Sequence, residues 1–277
     1  MDYKESVKNI REELSTYIRK NRIQTLVLGI SGGIDSTLCA LLARPVCDEL
    51  GILLIGRSLP ATSNSTGENA RAISMGSLFC TNFKEVSIEE EFLSIYKLAC
   101  NNFAEFVEEG NQNDILKGNI KARLRMILLY DIAGASSGMV LSTDNYTEYL
   151  LGFWTLHGDV GDYGMIQGLW KTEVYEMAEW ILNNEYSPVS ERGLAIKSCI
   201  DADATDGLGI SKTDLDQIMP GWIGSSKDGY KEVDERLALY TRFGRGDLDD
   251  PVIQRSIATH FKRDNPVNIP RERITKN

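Results

Sequence analysis

The run Thr25-Leu-Val-Leu-Gly-Ile-Ser31-Gly-Gly-Ile-Asp35-Ser36 decides how this chain is read. An apolar stretch over 24–30 breaks into two glycines, two serines and one carboxylate, and 37–44 then reads as a helix. Strand, tight loop and helix in that order put the loop at a helix N-terminus. First-turn N–H groups there lack intrahelical partners, and the helix dipole favours an anion. Gly32 and Gly33 are expected to permit positive φ and to leave no Cβ in the path of a phosphate. Ser31 and Ser36 add hydroxyl donors. Asp35 beside a phosphate calls for a cation between the two, so it is read as a Mg2+ ligand. Neither G-x-x-x-x-G-K-[ST] nor G-x-G-x-x-G occurs in the chain. A plainer reading stays open, in which Ser31 or Asp35 caps the helix and the glycines make an ordinary turn.

Outward from this loop, 51–56, 83–88 and 138–142 read as further strands. Helical spacing covers 3–20, 67–79, 89–107, 118–133 and 171–183. Strands alternating with helices imply an α/β fold, an open doubly wound parallel sheet flanked by helices. Segments 228–242 and 250–263 make a helical C-terminal region, and residues 197–230 hold no clear strand. A loop of that length suggests function. Ligands in such sheets bind at strand carboxyl ends. The Ser31 loop and the loop of Thr143 and Asp144 therefore share a crevice if their strands are neighbours.

Composition narrows the class. With 277 residues, 42% hydrophobic and 25% charged, the chain suits a single domain over 1–277. No run of 18 apolar residues exists, so no membrane span is expected, and Met1 to Ser6 has no apolar signal core. The five cysteines include no C-x-x-C, which argues against zinc ribbons and redox pairs and for a cytoplasmic protein with reduced thiols. A net charge of −10 disfavours nucleic acid as a partner. A small phosphorylated ligand, matched by local Lys and Arg, suits it better.

The Ser31 loop resembles the pyrophosphate-binding Ser-Gly-Gly-x-Asp-Ser loop of the ATP pyrophosphatase superfamily, whose fold is adenine nucleotide alpha-hydrolase-like. Further clusters sharpen the likeness: Lys117-Gly-Asn-Ile-Lys-Ala-Arg123-Leu-Arg125, Ser142-Thr143-Asp144 through Glu148 to Gly152, Gly158-Asp159-Val-Gly-Asp162, and Gly168-Leu-Trp-Lys171. Together they resemble the ammonia-dependent NAD synthetase family over residues 24 to about 185. Beyond 186 only Asp206-Gly-Leu-Gly-Ile and Lys262-Arg263 match it.

The resemblance implies a ligase that joins deamido-NAD, ATP and ammonia into NAD, AMP and pyrophosphate, working as a homodimer. Only about 23 residues precede the first strand, which implies the form without a glutaminase domain. Ser31, Gly32, Gly33, Asp35 and Ser36 match the pyrophosphate cradle, Thr143 and Lys171 the other ATP contacts, and Asp35 and Glu148 the Mg2+ ligands. Arg123, Asp162 and Lys262 match deamido-NAD contacts. Asp159 is taken as the acid that draws ammonium and accepts its proton. Ser198 is the candidate ATP contact in the 197–226 region, and the loop Asp201–Ser226 is expected to order on ATP binding.

Departures from the family pattern are Leu156 in place of its usual Lys, with His157 following, and Ser58-Leu59-Pro60 for Arg-Leu-Pro. Each pick also has a plain reading. Arg123 and Arg125 could pair with surface acids, Glu148 could be a first-turn acid, and Lys171 could be solvated. Competing functions are another adenylating enzyme, GMP-synthetase-like or tRNA-modifying, and a nucleotide-binding regulator without chemistry.

Overall fold

The computed structural model describes residues 1–103 and 111–274. Its sheet contains β1 (Thr25–Gly29), β2 (Leu53–Ser58), β3 (Asn82–Glu85), β4 (Gly138–Ser142) and the short β5 (Tyr163–Gly164). All pairs are parallel, in the order β3-β2-β1-β4-β5. Val27 of β1 stands opposite Ile55 of β2 on one side and Val140 of β4 on the other. The chain winds from β1 to one edge and then returns to the far side of β1. The switch point therefore lies between β1 and β4, where a crevice opens at the strand carboxyl ends.

Side chains alternate between two apolar layers, as a sheet covered on both faces requires. Leu26, Leu28, Leu54, Met139 and Leu141 face one layer. It is filled by α1 (Tyr3–Asn21), α2 (Ile34–Leu50), α3 (Thr66–Phe79), α7 (Lys171–Glu185) and α8 (Glu191–Ile200). Val27, Ile55 and Val140 face the other, against α4 (Glu89–Phe103) and α5 (Asn111–Ala135). A third cluster joins α6 (Tyr146–Leu151), α9 (Asp214–Ile218), α10 (Ser226–Phe243) and α11 (Pro251–Ala258) through Leu150, Leu215, Tyr230 and Val252. This is the helical C-terminal region.

Several boundaries differ from the sequence reading. α2 runs on to Leu50, straight through Pro45. Proline lacks the N–H that would bond the carbonyl four residues back. Here that acceptor, Leu41 O, takes a hydrogen bond from Arg11 Nη2 of α1 at 3.1 Å. The segment 197–230 is not one loop: α8 ends at Ile200, α9 occupies Asp214–Ile218, and α10 starts at Ser226. The expected helix 250–263 is α11 followed by a 3-10 turn over His260–Lys262. The expected extension of α4 to 107 lies outside the described residues beyond 103.

Candidate functional site

The loop after β1 is a braced cradle. Gly32 has φ +80°, and a Cβ there would lie 2.5 Å from Glu68 O and 2.8 Å from Ala72 N. Glycine is required on both counts. Gly33 departs from expectation: its φ is −88°, an ordinary value, and it is the N-cap of α2. Its missing side chain leaves α2 with no side-chain cap, so neither Ser31 nor Asp35 caps the helix. The first-turn N–H groups of a 17-residue helix thus face the crevice. The two serines hold the turn. Ser31 N–H donates to Ser36 Oγ at 3.3 Å, Ser36 Oγ donates to Gly33 O at 3.2 Å, and the hydroxyls lie 3.1 Å apart. Arg71 Nε closes the far side by donating to Gly32 O at 3.0 Å.

Two carboxylates and one ammonium meet beside the cradle. Lys171, the first residue of α7, has a side chain only 2% exposed. Its Nζ donates to Asp35 Oδ2 at 2.5 Å and to Glu148 Oε1 at 2.9 Å. Burial opposes the ammonium, but Asp35 and Glu148 more than offset it and hold Lys171 well above the usual lysine range. Burial also pushes the Glu148 carboxyl up, with Lys171 pulling the other way. The solvated reading of Lys171 is therefore out. Glu148 carries two tasks. It completes a capping box with Asn145 at the start of α6, and it faces Lys171. Asn145 Nδ2 also donates to Asp35 Oδ1 at 2.9 Å. Asp234, buried on α10, locks the lysine from behind. It accepts from Thr147 Oγ1 at 2.5 Å and from Thr172 N–H at 2.9 Å, while Thr147 Oγ1 accepts from Lys171 N–H at 2.9 Å.

Both groups open into one cavity of about 390 Å³, which Thr143, Asp144, Asp159, Asp214 and Lys262 also line. Asp159 accepts from Thr155 N–H at 2.9 and 3.1 Å. Burial, with the charge of Asp144 beside it, pushes its carboxyl up to about 7. Burial likewise raises Asp144 to about 6, against a 2.5 Å hydrogen bond from Ser142 Oγ. Asp214 is pushed up to about 7 by burial. One of its oxygens accepts from Tyr230 OH at 3.0 Å, and the other has no partner among the described residues. Lys262 Nζ donates to Gly152 O at 2.7 Å and to Trp154 O, pinning the segment that leads to Asp159.

Not every expected residue reaches this cavity. Gly32 shapes the cradle without lining it. Arg123 is exposed on α5 and lines a separate depression with Ile127, Tyr130 and His157. Its Nε donates to Leu156 O at 3.3 Å, so it pairs with a carbonyl rather than a surface acid. Asp162 lines neither hollow. Its carboxylate accepts from Val140 N–H at 2.9 Å and Tyr130 OH at 3.0 Å, at the β4 edge. Ser198 is exposed on α8 and outside the cavity, which the adjacent Cys199 lines instead. The surface-acid reading of Arg125 also fails, since it lines the cavity and bonds only neutral acceptors. Asp144, Asp214 and Asp234 carried no signal by themselves. Only the end of an apolar strand, before Thr143-Asp144, hinted at the first.

A doubly wound sheet with an uncapped Ser-Gly-Gly-x-Asp-Ser cradle at its switch point, and a lysine set between two carboxylates, defines an enzyme of the ATP pyrophosphatase type. More narrowly, the chain belongs to the NAD synthase family, whose model matches residues 6–264. It is 31% identical over 275 residues to the NH(3)-dependent NAD(+) synthetase of Thermoplasma acidophilum, covering 97% of each chain. Among solved structures it is similar to NMN synthetase from Francisella tularensis, with TM-score 0.75 and 25% identity over 98% of this chain and 99% of that one. NH3-dependent NAD synthetase from Campylobacter jejuni has the same fold, with TM-score 0.67 and 24% identity over 98% of both chains.

Proposed function

We propose that this enzyme amidates deamido-NAD to NAD, with ammonia as nitrogen donor and ATP split to AMP and pyrophosphate through an acyl-adenylate. The observation that carries the reading is one cavity holding the α2 cradle, the Lys171–Asp35–Glu148 group and the buried acid Asp159. A carboxylate is a poor electrophile and needs a leaving group. Its oxygen attacks the ATP α-phosphorus, the bond to the β-phosphate oxygen breaks, and pyrophosphate departs into the cradle. Ser31, Gly33, Ser36 and the first N–H groups of α2 hold that pyrophosphate, and Gly32 lets the turn close. Thr143 and Lys171 contact the ATP phosphates, the lysine as a fixed positive charge. Ammonia then attacks the activated carbonyl, a C–N bond forms, and AMP leaves. Asp159, poised near neutrality, draws the ammonium and takes its proton. Lys262 orients the Asp159 segment and meets the substrate at the cavity rim.

Asp35 and Glu148 suit Mg2+. They are oxygen donors from the first turns of α2 and α6 and already share one cation, the Lys171 ammonium. Mg2+ is commonly held by one or two carboxylates with water and phosphate filling its other positions. Once bound it neutralises charge on the phosphates.

The reading includes a homodimer. Ile127 and Tyr130 on α5 are exposed beside Arg123, and a second copy seated there would enclose the depression into which Arg123 and the Asp162 partner Tyr130 bring the dinucleotide. Among the described residues no helix is long and apolar enough to cross a membrane, and all five cysteines are free. Free thiols suit the cytoplasmic location proposed for it.

A second reading concerns substrate size alone. Leu156 stands where the family pattern has Lys, and the similar structure with TM-score 0.75 is named for making NMN. The acid form of NMN would undergo the same amidation in the same cavity. One assay tests both. Protein, ATP, Mg2+, ammonium and either acid are combined, and the amide product and pyrophosphate are quantified. Equal amounts of NAD and pyrophosphate from deamido-NAD, abolished in Asp35→Ala, support the main reading. Turnover of the mononucleotide acid alone moves the assignment to the second. Pyrophosphate without any amide overturns both.

A further inference from the structure

The wall of this cavity contains a cation that the proposed chemistry has not used. Arg125, on α5, makes three hydrogen bonds. Nε donates to Leu59 O at 3.1 Å, and Nη2 donates to Asn64 Oδ1 at 3.0 Å and to Gly207 O at 3.3 Å. All three acceptors are neutral. Asp206, Glu68 and Asp159 act on the guanidinium only from a distance, and among the described residues it forms no ion pair. A guanidinium has five N–H donors. Three are spent on holding its plane, and the two on Nη1 have no partner among the described residues. Arg125 lines the same cavity as Ser31, Asp35 and Asp159.

This arrangement is costly unless something completes it. A charge taken out of bulk water needs an opposite charge or a full set of polar partners. Burial lowers the pKa of this arginine, which marks the same deficit. Yet the side chain is not loose: strand end, loop and the 201–213 segment each contribute one acceptor to fix it. A guanidinium fixed in a cavity wall by neutral acceptors, with two N–H donors left over, is built to receive an anion. The cradle in the same cavity has donors enough for pyrophosphate. Asp159 marks where ammonia arrives. The anion left to pair with Arg125 is the reacting centre, where the substrate carboxylate meets the α-phosphoryl group.

We propose that Arg125 is a catalytic residue whose Nη1 hydrogen-bonds the anionic oxygens at the junction of substrate carboxylate and ATP α-phosphoryl group. It binds the carboxylate as that oxygen attacks phosphorus, and it keeps the contact with the α-phosphoryl oxygen as pyrophosphate leaves. The pentacoordinate phosphorus carries more negative charge on those oxygens than either reactant does, so the contact strengthens in the transition state. The same contact withdraws charge from AMP when ammonia expels it. The three protein hydrogen bonds pre-organise the donor, so no reorientation is needed during the reaction. This assignment rests on the adenylating function proposed above.

The test is acid-dependent exchange of labelled pyrophosphate into ATP, measured without ammonium, in wild type, Arg125→Gln and Arg125→Lys. Mg·ATP affinity and the melting temperature are measured alongside. Gln keeps a side chain able to donate to the same carbonyls but lacks the charge. Arg125→Gln is expected to lose about 10²–10³-fold in exchange, within the range for removal of one such donor. Its Mg·ATP affinity should stay within about threefold of wild type, because the cradle is untouched. Arg125→Lys keeps a charge without the guanidinium fork and should recover about tenfold over Gln. If Gln fails to fold, Lys alone decides, with exchange expected about tenfold or more below wild type at unchanged ATP affinity. Wild-type exchange in the folded variants, with only the 201–213 segment more open to protease, would make Arg125 a latch and overturn the proposal. If wild type shows no acid-dependent exchange, the adenylating reading fails rather than the role of Arg125.

Discussion

Asp144, Asp159 and Asp214 sit in the cavity as acids pushed up to about 6, 7 and 7, each chiefly by burial. A carboxyl raised in the fold keeps its proton where the unfolded chain has lost it. Folding therefore takes up protons between about pH 4 and 7, and stability falls as pH rises through that window. Asp214→Asn removes one such group, whose second oxygen has no partner among the described residues. It should shrink the stability loss between pH 5 and 8 by about 2–3 kcal/mol, read from urea unfolding at the two pH values. An unchanged loss would rule out Asp214 as a source. Asp159 makes the opposite demand on activity. Only its ionised form accepts a proton, so the rate at a fixed free-ammonia concentration should rise through about pH 7. Asp159→Asn should be slower and lack that limb; a variant that keeps it would remove Asp159 from proton transfer. The Ser31 cradle was legible because five polar or glycine positions fall within six residues. Asp214 and Asp234 were not, because their burial comes from helices far apart in the chain.

At the scale of elements, local pattern carried β1, β2, β4, α1, α3 and α7 to within a few residues. Fully apolar strands and regular helical spacing leave little choice. It failed where a tertiary contact overrides a local rule. Pro45 reads as a helix stop, yet α2 passes through it because Arg11 satisfies Leu41 O from another helix. The same guanidinium forms a paired contact with Glu185 of α7, at 2.7 Å to each oxygen. Arg11→Met should cost about 1–3 kcal/mol in urea unfolding while leaving kcat intact, since Arg11 lies outside the cavity. A change below about 0.3 kcal/mol would mean that Leu41 O is satisfied without it. The two residues of β5 and the six of α6 are too short for any periodicity to show. Gly32→Ala offers a sharper element-level check. With φ at +80° and backbone 2.5 Å from the new methyl, the cradle must shift. ATP affinity should fall at least tenfold, by about 1.4 kcal/mol or more, measured by calorimetry. Unchanged affinity would contradict the cradle assignment.

Across the whole molecule, the sheet order could not be read from any single segment. That the Ser31 and Thr143 loops share a crevice follows only from β1 pairing with β4. The sequence reading expected the 197–226 loop to meet ATP, but not that α5 would tie the 201–213 segment down. Lys121 donates to Leu208 O at 3.0 Å and Arg125 to Gly207 O at 3.3 Å, contacts between regions some 80 residues apart. Ligand binding beneath this segment should slow its cleavage in limited proteolysis when Mg·ATP is present. Equal cleavage with and without Mg·ATP would exclude closure over the nucleotide. Light scattering should return twice the chain mass, and Ile127→Glu on the exposed face of α5 should halve it. A monomeric wild type would leave Arg123 without the enclosed site proposed for it.

The account stands most directly on the path of one oxygen atom. Deamido-NAD labelled with oxygen-18 in its carboxylate, turned over with ATP, Mg2+ and ammonium, should give AMP carrying one labelled oxygen, NAD retaining the other, and unlabelled pyrophosphate. Label in pyrophosphate or phosphate, or AMP without label, would contradict attack at the α-phosphorus and the cavity chemistry built on it.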